Sequence, residues 1–260
     1  MENYKKFGFE KSNVSAFLLG CDLNQIHEKV ILAPCWTPLS VGITEAKLIY
    51  NSTHQVWDCS MNDKLFSYIV SGVGAGVCSD LVMSLGDTAC SKILFMGSAG
   101  SIAEHIQVGD IVVPECIICG DGLCRYLSTD VRIDCFGEPC LPDNAVRRSI
   151  LTAAKEQIAK YSGYGISCHT GTGATVETIF SQFMHLDTFR EMSCGFLDME
   201  SAACLKAAKN IGIGAAVIFC ISDNSICQQS LITISDQLTR FRKEVRRKVM
   251  PGVITAFLAM

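Results

Sequence analysis

The sequence predicts an α/β fold: a single domain of three αβα layers, with helices on both faces of a mostly parallel or mixed sheet. Apolar strand patterns alternate with helical patterns along the whole chain. The 260 residues are 49% hydrophobic and 18% charged, which suits one large core. No repeat, linker or low-complexity stretch marks a boundary, so residues 1–260 are predicted to form one domain.

The first half of the chain is predicted to consist mainly of strands. Residues 1–28 form an N-terminal arm with a short helical or turn segment at Leu23–Glu28. Short apolar runs predict strands at Lys29–Ala33, Glu45–Ile49, Gln55–Ser60, Leu65–Val70 and Lys92–Met96. The glycine-rich segment 71–76 precedes a predicted helix, Val77–Gly86, and a compact glycine turn is expected at 97–101.

The second half alternates strands and helices more regularly. Asp143 is a plausible N-cap for an amphipathic helix, Asn144–Lys160. Another helix is expected near Asp187–Met192, and a helix near Asp198 follows a short strand. The remaining predicted strands are Val108–Pro114, Cys116–Gly120, Gly163–Thr170, Gly195–Leu197 and Gly214–Cys220.

The charge of the chain argues against nucleic acid as a partner. The net charge is −4, and the basic cluster at 240–248 is interpreted as the solvated face of a C-terminal helix. No apolar run is long enough for a membrane span, and the polar N-terminus does not resemble a secretory signal. We therefore expect a cytoplasmic protein without a membrane partner.

Fifteen cysteines are scattered along the chain, and several of them lie in apolar strands or helices. In a reducing compartment they are expected to serve as small core residues. Cys116 and Cys119 form a CxxC pair with Cys124 nearby, but no second pair or histidine completes a tetrahedral ligand set. No metal site is therefore predicted.

Two carboxylates flank one strand–helix–strand unit, residues 193–224. Glu200 follows the first strand and Asp223 follows the second, at positions where open α/β sheets bind ligands. Neither acid belongs to an apolar pattern, so each needs a polar partner or a function. Glu200 could also be a first-turn helix carboxylate, and Asp223 a turn or cap residue.

Three segments together resemble the nucleoside phosphorylase/nucleosidase superfamily, which includes uridine phosphorylase, hexameric purine nucleoside phosphorylase and methylthioadenosine nucleosidase. They are Gly97-Ser98-Ala99-Gly100 with Gly109–Pro114, Asp198–Ala203, and Ile221-Ser222-Asp223. Their order and separation match the family over roughly residues 17–258. The resemblance implies a mixed, partly barrel-like sheet, and active sites near the dimer interface of a homo-oligomer, either a dimer or a trimer of dimers.

The implied chemistry is cleavage of an N-glycosidic bond. By resemblance, Glu200 accepts hydrogen bonds from the ribose hydroxyls, Met199 packs on the ribose, and Asp223 protonates a purine-type leaving base. Phe180 is a candidate for the ring stacked on the base, and Gln182 for a contact to the base edge. No cofactor is implied beyond inorganic phosphate as a co-substrate.

The phosphate site departs from the family pattern. The G-D-P-x-R loop of the family is here Cys35–Leu39, a second phosphate arginine is replaced by Phe95, and no arginine precedes Arg125. Ser98 and the backbone at Gly72–Gly76 remain as candidate anion contacts. Leu18 replaces a histidine that a neighbouring subunit offers to the sugar.

Three hypotheses remain open from the sequence. The first is a purine-type nucleoside phosphorylase with a rebuilt anion site. The second is a nucleoside hydrolase, although residues 34–43 hold no carboxylate that could activate water, and Glu177 is the nearest unassigned acid. The third is a non-catalytic nucleoside-binding homologue.

Overall fold

The computed structural model describes residues 4–260, which contain six α-helices and twelve strands. The helices are α1 (Lys11–Leu19), α2 (Ala75–Ser84), α3 (Asn144–Lys160), α4 (Leu186–Glu191), α5 (Ser201–Asn210) and α6 (Asp236–Leu258). The strands are β1 (Lys29–Ala33), β2 (Glu45–Asn51), β3 (Gln55–Met61), β4 (Lys64–Val70), β5 (Lys92–Ser101), β6 (Ile111–Val112), β7 (Cys116–Cys119), β8 (Pro139–Cys140), β9 (Cys168–His169), β10 (Thr172–Thr175), β11 (Cys194–Asp198) and β12 (Gly214–Asn224).

All twelve strands belong to one mixed sheet that branches at β5. The first part of β5 lies parallel to β1, which leads to the meander β4-β3-β2. The last part of β5 pairs antiparallel with β11, which leads to β10, β7 and β8. A third partner, β12, runs parallel to β5 along its whole length. Within residues 4–260 the branches do not close into a barrel. The α/β prediction with a mixed sheet is confirmed.

Helices cover both faces of the sheet, as the three-layer prediction requires. Side chains alternate along β5, so Ile93 and Phe95 enter one apolar core while Leu94 and Met96 enter the other. Helices α2 and α5 pack on the first face, and α3 and α6 on the second. Helix α3 begins at the predicted cap, where the Asp143 carboxylate accepts the first free N–H groups.

The glycine turn predicted at 97–101 is wrong, because β5 continues through these residues and stays paired with β12. The glycines allow close packing within the strand instead. A Cβ at Gly97 would lie 3.1 Å from the Phe95 ring, and one at Gly100 would lie 3.2 Å from the Asp223 carboxylate. The strand predicted at Gly163–Thr170 is also shorter, because only β9 is extended there.

The N-terminal arm contains a helix that the sequence analysis did not predict. Lys11 and Ser15 of α1 both bind the carboxylate of Asp87, which follows α2. Residues 1–3 lie outside the described part, so the single domain over the whole chain stays a prediction. None of the helices described in residues 4–260 combines the length and apolar character that crossing a membrane requires.

Candidate active site

A cavity of about 260 Å³ opens where the ends of β5, β11 and β12 meet. Its walls come from the loop after β1, from the residues after β11, and from helix α6. The sequence-predicted residues that line it are Ser98, Gln182, Met199, Glu200 and Asp223. The structure therefore brings five of the seven predicted site residues to one cavity, including both carboxylates.

Glu200 is held by the glycine loop that precedes α2. Its side chain is 5% exposed, and its Oε1 accepts the N–H of Gly74 at 2.7 Å. Burial, and secondarily the charge of Asp198, raise the pKa of Glu200 to about 8. The glycine loop therefore positions a carboxylate through the N–H of Gly74.

Asp198 is the residue that positions Glu200. Its Oδ2 accepts the N–H groups of Glu200 and Ser201, and its Oδ1 accepts the hydroxyls of Thr175 and Ser201. These bonds fix the turn between β11 and α5, so the helix predicted near Asp198 begins at Ser201. With four hydrogen bonds, Asp198 has little capacity left to contact a ligand.

Asp223 lies at a β-bulge near the end of β12. The pairing with β5 shifts between Ile221 and Asp223, so both Ser222 and Asp223 line the cavity. Burial raises the pKa of Asp223, although the hydroxyl of Ser222 donates to its Oδ1 at 2.5 Å and opposes that shift. Gly100 on β5 leaves the space that the carboxylate occupies. A carboxyl with a raised pKa in a cavity can act as a general acid.

Two predicted site residues do not line the cavity. Phe180 precedes a turn of 3-10 helix, Ser181–Met184, and is 89% exposed, whereas Gln182 within that turn lines the cavity. Gly72 adopts a φ of 80° and donates its N–H to the carbonyl of Pro34, so it shapes the loop, and its neighbour Val73 reaches the cavity.

Arg242 of α6 is a functional candidate that the sequence analysis missed. Among residues 4–260 it is the one basic side chain that lines the cavity, which it shares with Ser98. Its Nη1 donates to the carbonyl of Ser222 at 3.2 Å, and its buried Nε has no hydrogen-bond partner within the described chain. The guanidinium is thus anchored beside Asp223 with a donor still free.

A second cavity of about 320 Å³ adjoins the first and is also basic. Arg242, Lys243 and Arg246 line it together with Ser98 and Trp36. Arg246 lies over the Trp36 ring at 4.8 Å from its centroid, and it binds the carbonyl of Ser40. Part of the cluster at 240–248 therefore faces the cavities rather than solvent, which corrects its interpretation as a solvated face.

Comparison with known proteins agrees with this architecture. The family described as the phosphorylase superfamily matches residues 56–251. The chain belongs to this superfamily. Uridine phosphorylases from Salmonella typhimurium and from Escherichia coli strain K12 are each 22% identical over 187 residues, which cover 66% of this chain and 69% of theirs. The resemblance inferred from the sequence motifs is thereby confirmed.

Solved structures of two superfamily members share the fold. Purine nucleoside phosphorylase from Toxoplasma gondii, in complex with immucillin-H, has a TM-score of 0.72 and 19% identity, and the match covers 92% of this chain and 95% of that one. Uridine phosphorylase from Vibrio fischeri, complexed with 6-hydroxy-1-naphthoic acid, has a TM-score of 0.69 and 17% identity, covering 92% and 93%. At these identities the similarity establishes the superfamily fold and leaves the base open.

Proposed function

We propose that the protein cleaves the N-glycosidic bond of a purine-type ribonucleoside or deoxyribonucleoside and transfers the sugar to inorganic phosphate. One observation carries this proposal: a single cavity unites Glu200, Asp223 and Arg242. A carboxylate for the sugar, an acid for the base and a cation for the acceptor are the three groups that phosphorolysis requires.

Glu200 serves the sugar. The hydroxyls of a bound ribose donate hydrogen bonds to this carboxylate. These bonds replace the hydrogen bonds to water that the carboxylate loses through burial. The ionised form then stabilises positive charge that develops on the sugar as the glycosidic bond lengthens. The bond from Gly74 holds the carboxylate in place before substrate arrives, and Met199 supplies an apolar contact on the same wall.

Asp223 serves the leaving base. Because burial raises its pKa, the protonated form persists to higher pH than for an exposed aspartate. A neutral carboxyl can donate its proton to a ring nitrogen of a purine as the bond to the sugar breaks. This acid supports a purine-type base, and Gln182 is available on the cavity wall for the base edge.

Arg242 serves phosphate. The free Nε and the neighbouring Nη groups offer forked donors that match a phosphate oxygen pair. Ser98 reaches both cavities and supplies a hydroxyl beside the guanidinium. Lys243 and Arg246 add positive charge behind it. We therefore assign the role of the family's missing arginines to α6.

The alternative of hydrolysis has less support, because a hydrolase needs a base for water. Among residues 4–260, the acids lining the cavity are Asp198, Glu200 and Asp223. Asp198 is fully engaged in the turn, and the other two have roles on the sugar and the base. Glu177, the unassigned acid, accepts the N–H of Gly122 and lies outside the cavity wall.

The experiment is an assay of base release from adenosine, inosine, methylthioadenosine and uridine, with and without phosphate. Release from a purine nucleoside that depends on phosphate supports the proposal. Base release that does not depend on phosphate indicates a hydrolase. Preferential release from uridine contradicts the purine assignment. Nucleoside binding without any release indicates a non-catalytic homologue.

We also propose that the protein forms a homo-oligomer, a dimer or a trimer of dimers. Four exposed apolar residues lie in or beside the segment that lines the cavity: Ile179, Phe180, Phe183 and Met184. An exposed apolar patch of this kind supports a contact with a second copy. Light scattering coupled to size exclusion tests this. A dimer or hexamer is expected for the wild-type protein, whereas a monomer at micromolar concentration contradicts the proposal.

A further inference from the structure

Three cysteines converge at the edge of the sheet, away from the active-site cavity. Cys119 ends β7, Cys124 lies in the 3-10 turn Leu123–Leu127, and Cys140 ends β8. All three side chains are buried, and their sulfur atoms all lie within 4.8 Å of one another. The Sγ atoms of Cys119 and Cys140 are 3.4 Å apart. We refer to these residues as the three-cysteine cluster.

The cluster depends on strand pairing rather than on the CxxC motif. Cys116 and Cys119 are three residues apart on β7, so they point to opposite faces. Cys119 is buried, whereas Cys116 is half-buried on the other side. The antiparallel partner β8 brings Cys140 to the buried face, and the chain reversal after β7 returns Cys124 to it.

The surroundings of the cluster favour ionised sulfur. Lys206 of α5 adds positive charge beside Cys119 and Cys140. Lys206 is placed there by its bond to Glu138 at 2.8 Å. Thiolate is the form of cysteine that binds metals.

Asp121 provides a second observation that points to a ligand. Its Oδ1 accepts the N–H of Cys124 at 3.0 Å. Its Oδ2 is buried and has no hydrogen-bond partner within the described chain. A buried carboxylate oxygen without a partner is unfavourable by about 1–3 kcal/mol or more, and a cation would satisfy it.

We infer that Cys119, Cys124 and Cys140 bind one zinc ion. The oxygens of Asp121 do not lie within 4.8 Å of all three sulfur atoms, so its side chain rotates to bring the carboxylate to the fourth position. A tetrahedral zinc with Zn–S bonds of about 2.3 Å holds its sulfur atoms roughly 3.8 Å apart, close to the spacing of the cluster. Thiolate ligands select a soft or borderline ion such as zinc over magnesium or calcium. Binding releases the remaining thiol protons to solvent, and Lys206 offsets part of the negative charge of the site.

Such a site would attach the long connection between β7 and β8 to the sheet. The same connection contacts the residues on either side of Val176, which lines the cavity, because Gly122 donates to Glu177 at 2.9 Å and Gly120 packs against the carbonyl of Thr175. We therefore expect zinc removal by a chelator to lower the melting temperature by several degrees. Activity need not change for this effect to be seen.

The test is the zinc content of the purified wild-type protein, measured by elemental mass spectrometry after expression with added zinc. About one zinc per chain is expected. The variants C119S, C124S and C140S should each lose most of that zinc. C116S is the matched control, since it alters the other cysteine of the CxxC motif, and it should keep the metal. Zinc well below one per chain in the wild type, or retention in all three variants, overturns the inference.

A spectroscopic measurement on the wild-type protein avoids any folding defect in the variants. Cobalt added to metal-free protein should give the intense thiolate-to-cobalt absorption and the visible bands of a tetrahedral site. Zinc should then abolish both signals. Absence of the charge-transfer band contradicts the inference.

Discussion

The two halves of the active site are built in different ways. The half that we propose to hold sugar and base comes from one continuous stretch, residues 193–224, in which Asp198 fixes Glu200 and a bulge directs Asp223. The half assigned to phosphate is assembled from the loop after β1, the end of β5, and α6. In the proposed site, the reaction centre therefore lies in one local motif, and the acceptor side lies on separate elements.

The largest effect should come from the base side. We expect Asp223→Asn to lower the rate of base release at least about a hundredfold, because the amide cannot supply a proton. Ser222→Ala, which removes only the hydroxyl that donates to Asp223, should retain most activity. Single-turnover release of the base measures both. A fully active Asp223→Asn variant would remove this residue from the mechanism.

On the sugar side, we expect Glu200→Gln to lower kcat/KM about a hundredfold, because a neutral amide does not stabilise developing positive charge. In the wild type, kcat/KM should rise with pH as Glu200 ionises, up to a pH of about 8. Nucleoside kinetics at several pH values measure this rise. A pH-independent wild type, or an unimpaired variant, contradicts the role.

The same substitution should stabilise the fold. The folded-state pKa of Glu200 is about 8, above its ordinary value of 4.5, so the folded state retains a proton that the unfolded state releases between these values. The free energy of unfolding therefore falls as pH rises through this window. Glu200→Gln should raise the free energy of unfolding by a few kcal/mol at pH 8 and by little at pH 4. Denaturant unfolding at both pH values checks this.

On the phosphate side, we expect Arg242→Gln to raise the KM for phosphate about tenfold to a hundredfold, the range of a charged hydrogen-bond pair. The KM for nucleoside should change much less. Arg247→Gln is the matched control, because Arg247 is exposed on the same helix. If both variants raise the KM for phosphate equally, the overall positive charge of α6 accounts for phosphate binding, and the assignment of that role to Arg242 is wrong.

The smallest effect should come from Phe180. Because its ring is 89% exposed, Phe180→Ala should change the KM for nucleoside by no more than about twofold if the ring stays outside the cavity. Nucleoside titration of the variant measures this. A tenfold rise would restore the stacking role predicted from the sequence, through a movement of the segment around Ser181–Met184.

The sequence was informative where function is local. The order and spacing of the motifs around Ser98, Glu200 and Asp223 predicted the superfamily and the α/β fold, both of which are confirmed. The same motifs predicted that the two carboxylates share a site, and the structure brings them to one cavity. The bulge at Ser222 depends on pairing with β5, and the bond from Thr175 to Asp198 joins residues 23 positions apart, so neither could be predicted from the residues alone.

The sequence was less informative where function depends on tertiary packing. Arg242 and Arg246 are four residues apart, so they share one face of α6. Which face of α6 meets the cavity is decided by its packing against the sheet, so the basic cluster was interpreted as solvated. Gly97 and Gly100 were interpreted as a turn, because the approach of Phe95 and Asp223 that they accommodate is visible only in the folded sheet.

The most direct test of the central claim, that α6 supplies a phosphate site opposite Glu200 and Asp223, is the identity of the sugar product. The wild-type protein is incubated with inosine and phosphate, and the products are separated. The account predicts a sugar phosphate as the main product from the wild type and a marked loss of it in Arg242→Gln. Free sugar as the main product of the wild type would contradict the account.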